Sequence, residues 1–160
     1  MARKVWIGYG LHSPERFLVN GKFDEFRFRK DFAVPLGNAG CNIVRLLIVE
    51  PGGHTNPKDV FSPWLFEDGA FNLKKWNPLW WDTMDKAVRI LHRPDPKVAT
   101  GIQVVFPIGN NCSENGPQIA LSPYHLNHQG VKSFYDANAD KYTIPLIEEI
   151  LRRWPWVEIS

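Results

Sequence analysis

Cysteine is scarce in this chain, with Cys41 and Cys112 the only two among 160 residues. Two thiols do not build a disulfide framework. Cys41 is expected at the entry to one strand and Cys112 beyond the exit of the next, at opposite ends of a sheet and too far apart to bridge. Long apolar runs are missing as well. No stretch approaches the roughly 20 apolar residues of a membrane helix. The opening Met1-Ala2-Arg3-Lys4-Val5-Trp6 meets Gly8 and His12 before any apolar core of an export signal can form. No signal peptide or transmembrane segment is visible, and the compartment stays open. Net charge is only +2, with acids and bases mixed along the chain. The basic stripe of a nucleic-acid binder is therefore absent. Gly8-Tyr9-Gly10 lacks the third glycine of a dinucleotide fingerprint, and Pro14 breaks the following turn. No phosphate loop, Gly-x-Ser-x-Gly elbow or Cys-x-x-Cys pair occurs, so no cofactor is expected.

What the chain does have is an arginine inside an apolar strand, Cys41-Asn42-Ile43-Val44-Arg45-Leu46-Leu47-Ile48-Val49. A short, continuous β-branched and leucine run reads as a strand buried on both faces, as in a parallel sheet. A guanidinium keeps its charge there, so its burial requires a paired anion or a polar ligand. A structural ion pair is the plain alternative.

Around that strand the chain alternates. Lys4 to Gly10 reads as a strand, and about Phe23 to Leu36 as a helix that Pro35 kinks or ends early. Gly37-Asn38-Ala39-Gly40 is a stop signal. After the arginine strand a long segment, Glu50 to Trp76, is rich in Gly, Pro and aromatics. A clear helix follows, capped by Asn77 with Pro78 in its first turn and Trp80 or Trp81, Met84, Val88 and Leu91 in one stripe. Ile102 to Phe106 is a third strand, and Pro107 to about Gly130 a second long loop. A helix over about Lys132 to Arg153, bent at Pro145, leads to a fourth strand beginning at Trp156. The order β-α-β-α-β-α-β predicts right-handed βαβ units and a parallel sheet in one domain, residues 1–160. Loops of over twenty residues are usually functional. Both leave the carboxyl ends of strands, where α/β proteins place ligand sites.

The residues Asn42-Ile43-Val44-Arg45, after the Ala39-Gly40 turn, resemble the second-strand signature of glycoside hydrolase family 5 and its clan of (β/α)8 barrels. Phe71-Asn72-Leu73, Gly101-Ile102-Gln103-Val104-Val105 and Ser122-Pro123-Tyr124 with Asn127 and Gly130 are similar to the same group. The resemblance implies a retaining hydrolase of β-linked glycans, cellulase-like, with an oligo- or polysaccharide substrate. Arg45 would hold the nucleophilic glutamate charged and oriented, because an opposite charge within a few ångströms lowers a carboxylate pKa by about 1–3 units. The long loops would line sugar subsites, with Glu50, Trp64, Asn110, Asn111, Tyr124 and His125 as contacts. Sugars offer C–H faces to rings and hydroxyls to amides and histidines.

Two departures stand out. Phe106-Pro107-Ile108-Gly109-Asn110-Asn111 carries amides where many family members have a histidine. The two carboxyls of a retaining enzyme, about 5–5.5 Å apart, would follow strand four and end strand seven, beyond Ser160. The resemblance therefore implies the first half of a TIM barrel, about four strands and three helices, inactive alone and prone to self-association through its open face. The alternatives are a non-catalytic carbohydrate-binding α/β domain or pseudoenzyme, and an unrelated α/β domain with another ligand.

Other constellations are weaker. His125-x-x-His128 with His54 and Cys112 is a poor metal motif, and no metal is expected. Glu50 with Glu114 could form a carboxylate pair, although solvated loop carboxylates are the default. Glu158 on strand four could reach the barrel interior near Arg45 and supply its anion. The Trp76–Trp81 cluster fits core packing better than sugar stacking.

Overall fold

Four strands pair side by side in one parallel sheet, which makes the chain mixed α/β. The computed structural model describes residues 8–11, 14–47, 56–92, 101–105, 121–155 and 158–159. In chain order the sheet strands are β1 (Gly8–Leu11), β4 (Ile43–Leu47), β7 (Gly101–Val105) and β8 (Glu158–Ile159). They lie in space in that same order, each beside the next in sequence. The expected first strand is seen from Gly8 onward; Lys4 to Ile7 and Trp156 lie outside the described residues.

Two hairpins were not expected. β2 (Leu18–Val19) turns into β3 (Lys22–Phe23) through Asn20-Gly21, both at positive φ, 51° and 71°. β5 (Trp64–Glu67) turns into β6 (Ala70–Trp76) through Asp68-Gly69, at 48° and 83°. Two-residue turns with φ positive at both positions match the right-handed strand twist, and Asn-Gly and Asp-Gly adopt them at least cost. The second hairpin occupies the segment expected to be a structureless loop.

The helix between β1 and β4 runs from Glu25 to Asn38 as α1 (Glu25–Phe28), a π-turn (Arg29–Ala33) and α2 (Val34–Asn38). Asp24 caps it, accepting from the Arg27 N–H at 2.9 Å. Pro35, expected to kink the helix or end it early, does not end it, and the helix runs on to Asn38. Proline has no N–H to give the preceding turn, and the turn just ahead is widened, with the Val34 N–H reaching the Arg29 carbonyl. The stop comes at Gly40, φ 78°, where the Cys41 N–H donates to Leu36 and the Gly40 N–H to Gly37. That pair of bonds is a Schellman closure, which needs the left-handed residue glycine supplies.

The helix α3 (Pro78–His92) forms as expected. The Asn77 carboxamide oxygen accepts from the N–H groups of Leu79 and Trp80 at 3.1 and 3.3 Å. The stripe Trp80, Trp81, Met84, Val88 and Leu91 is buried. The last helix, α4 (Asp140–Arg153), starts eight residues later than expected. Asp136 accounts for the delay: its carboxylate accepts from the N–H groups of Lys132 and Asn138 at 3.0 and 2.9 Å, which holds 132–138 in turns. Such local bonds to the backbone compete with helix. Pro145 lies inside α4.

The chain divides into two compact units. The first comprises Met1–Leu47, Asp82–Val105 and Trp156–Ser160, and holds the parallel sheet. Its core includes Val44, Leu46, Ala87, Val88 and Leu91, together with Phe17, Phe23 and Phe28 in mutual ring contact. The second comprises Ile48–Trp81 and Phe106–Pro155. It is built on Trp64, Phe71, Leu73, Tyr124, Leu146, Ile150 and Trp154. No helix of the described residues is long and apolar enough to cross a membrane.

Candidate functional site

Side chains alternate along a strand, which puts Ile43 and Arg45 of β4 on one face; Ile43 is buried, so the break in burial is at Arg45 itself. Val44 and Leu46 are fully buried, whereas Arg45 between them is exposed. This corrects the expectation of a strand buried on both faces. A guanidinium without an anion keeps its water, because drying it unpaired costs several kcal/mol or more. Among the described residues no ion-pair partner stands beside Arg45. In the sheet register Gly10 lies opposite it on β1, Gln103 on β7, and Glu158 opposite Gln103 on β8. One rank thus carries an arginine, an amide and a carboxylate residue.

The expected sugar contacts fall into three groups. Glu50, Asn110 and Asn111 lie outside the described residues, as do Glu114, His54 and Cys112. Trp64 and Tyr124, far apart in sequence, are brought together: their rings meet edge to face at 5.2 Å. Both are buried, at 0% and 3% exposure. The Tyr124 hydroxyl pairs with the Thr143 hydroxyl at 2.8 Å, and burial pushes the phenol above its ordinary range. Their role in this structure is core packing, since neither ring presents a free face. His125 is exposed, and partial burial of its ring lowers its pKa. Cys41 is a free thiol ahead of β4.

The loop that carries Tyr124 docks on the second hairpin through its backbone. The Phe71 N–H donates to Leu126, the His128 N–H to Phe71, and a His128 ring nitrogen bonds the Glu67 carbonyl at 2.9 Å. Gln129 accepts from the Leu73 N–H at 2.7 Å and donates to Asn72 at 3.2 Å. His128 is therefore committed to the hairpin. Among the described residues no group of three or more His, Cys, Asp or Glu gathers to hold a metal. The Glu67 carboxylate accepts from Asn72 at 2.7 Å and Lys75 at 2.8 Å, which lowers its pKa. A carboxylate held that way is an anion, not a general acid.

No family model, curated protein or solved structure matches the chain.

One ring that sequence reasoning put in the core belongs elsewhere. Trp80 and Trp81 are buried, but Trp76 is 37% exposed. On β6 Phe71 and Leu73 are buried, while Lys74, Lys75 and Trp76 emerge before the Asn77 cap. Helical spacing was the wrong period for a residue on a strand.

Proposed function

We propose that the chain contributes the first four strands of a (β/α)8 barrel of the retaining β-glycosidase type, with Arg45 on the interior-facing side. The observation that carries this reading is the strand order: four parallel strands, each beside its sequence neighbour, with a charged residue uncovered on one face of β4. Doubly wound sheets reverse direction at a switch point; a barrel adds each strand on the same side. The interior of a closed barrel is filled by side chains, so a lone arginine there needs a carboxylate. In this reading, strands that close the barrel bring that carboxylate, and Arg45 keeps it ionised as a nucleophile. A retaining mechanism then requires a second carboxyl about 5–5.5 Å from the first.

As a positioning residue, Arg45 acts through the nucleophile rather than on the glycan. The edges β1 and β8 each have one strand neighbour among the described residues. Open edges of this kind recruit further strands, so the chain alone would self-associate.

Hydrolysis is the test. The chain alone, at micromolar concentration, is expected to leave β-glucan and β-mannan intact. Joined to the strands that close the barrel, it should release reducing sugar, and Arg45→Ala should cost about a hundredfold in rate. Release of sugar by the chain alone would overturn the proposal. Binding without hydrolysis after closure would favour a non-catalytic carbohydrate-binding domain.

A further inference from the structure

Five tryptophans of the second unit form a connected cluster. Trp64 and Trp76 stack at 6.3 Å with planes 21° apart. Trp76 and Trp81 meet at 5.5 Å and 80°. Trp81 contacts Trp80 at 4.8 Å and Trp154 at 5.9 Å. Trp64, Trp80, Trp81 and Trp154 are at most 3% exposed, and Trp76 is 37% exposed. Trp76 is thus the one ring through which this cluster reaches solvent.

We infer that Trp76 is a stacking platform for a pyranose ring of a glycan. The ligand class rests on the carbohydrate reading above; the position does not. Three features favour a sugar over a protein partner. First, the ring is clamped. Trp64 lies along it and Trp81 stands across it, so binding orders little that is not already ordered. Second, within this cluster the solvent-facing apolar surface is that of one ring, which matches the C–H face of one sugar unit. A stable protein interface needs about 800 Å² per partner. Third, the neighbours Lys74 and Lys75 are exposed, and lysine is depleted from protein interfaces. Lysine ammonium groups donate well to sugar hydroxyls.

The test is an NMR titration of the full chain with cellohexaose and with mannohexaose, following the indole N–H signals of its seven tryptophans. The Trp76 signal is expected to move first and furthest, and saturation of the protein should transfer to the sugar C–H protons. Trp76→Ala should weaken binding by roughly tenfold or more. Because that variant removes contacts to Trp64 and Trp81, Trp76→Phe is read beside it. The smaller ring keeps the packing and should bind with intermediate affinity. Movement of other indoles with Trp76 still, unchanged affinity in Trp76→Ala, or no shift with either sugar would each overturn the platform. Absence of hydrolysis by the barrel-closed protein with Trp76 binding intact would sink the hydrolase reading alone, and hydrolysis without a Trp76 response would sink the platform alone.

Discussion

Arg45 and Glu158 stand in the same rank of the parallel sheet, two strands apart, with Gln103 between them. Neighbouring strands are about 4.8 Å apart, so the two backbones are separated by about 10 Å. In the proposed barrel, Arg45 would have two candidate sources of negative charge, this glutamate and the proposed nucleophile. Only the second makes the arginine functional. Replacing Glu158 by Gln separates them: if Glu158 is the partner, the barrel-closed protein loses stability with no change in its pH-rate profile.

The Asp68-Gly69 turn sets the register of the second hairpin, to which the Tyr124 loop is bonded. A Cβ added at Gly69 meets nothing within 4 Å. The cost of Gly69→Ala is then conformational only, about 1–2 kcal/mol for a left-handed residue. Gly69→Asn should cost less, because asparagine visits that region. Urea unfolding of the two variants checks the order.

Asn77 joins α3 to the segment before β5. Besides capping the helix it donates to the Ser62 carbonyl at 3.1 Å. Asn77→Ala is expected to lose about 1–2 kcal/mol. Asn77→Asp keeps the acceptor and loses the donor, so its melting temperature should fall between the two.

Glu149 sits between Arg152 and Arg153, accepting from the first at 2.6 Å, and its pKa is lowered to about 2, chiefly by the Arg152 bond. A depressed carboxylate pKa means the unfolded chain binds the proton more readily. The stabilisation is therefore present above the ordinary carboxylate range and is lost as pH falls from about 5 towards 2. With Arg152 exposed to solvent, its size is about 0.5 kcal/mol. Unfolding free energies of wild type and Glu149→Gln should converge across that window.

Much of the fold was legible. The parallel sheet followed from alternating apolar segments, and α3 from Asn77-Pro78 and one apolar stripe. The Gly40 stop was readable because few residues other than glycine tolerate that conformation. Both hairpins were missed although Asn20-Gly21 and Asp68-Gly69 are strong turn signals. Their flanking strands are short or rich in lysine and aromatics, so alternation did not mark them. The start of α4 was missed because Asp136 bonds the backbone ahead of it, a competition that periodicity does not record. Arg45 was expected to be buried because its neighbours are apolar. The structure leaves the Arg45 side chain exposed while Ile43, two residues before it, is buried, a difference that composition along one strand cannot report. Trp64 and Tyr124 were chosen for their chemistry, and tertiary packing turned both inward.

The acid limb of kcat/KM in the barrel-closed protein tests the central claim most directly, with Arg45 compared against Arg45→Met. Removing the guanidinium should raise the pKa of the nucleophile, moving the acid limb to higher pH by about one unit or more. An acid limb that stays in place, with activity retained, would show that Arg45 has no carboxylate to hold.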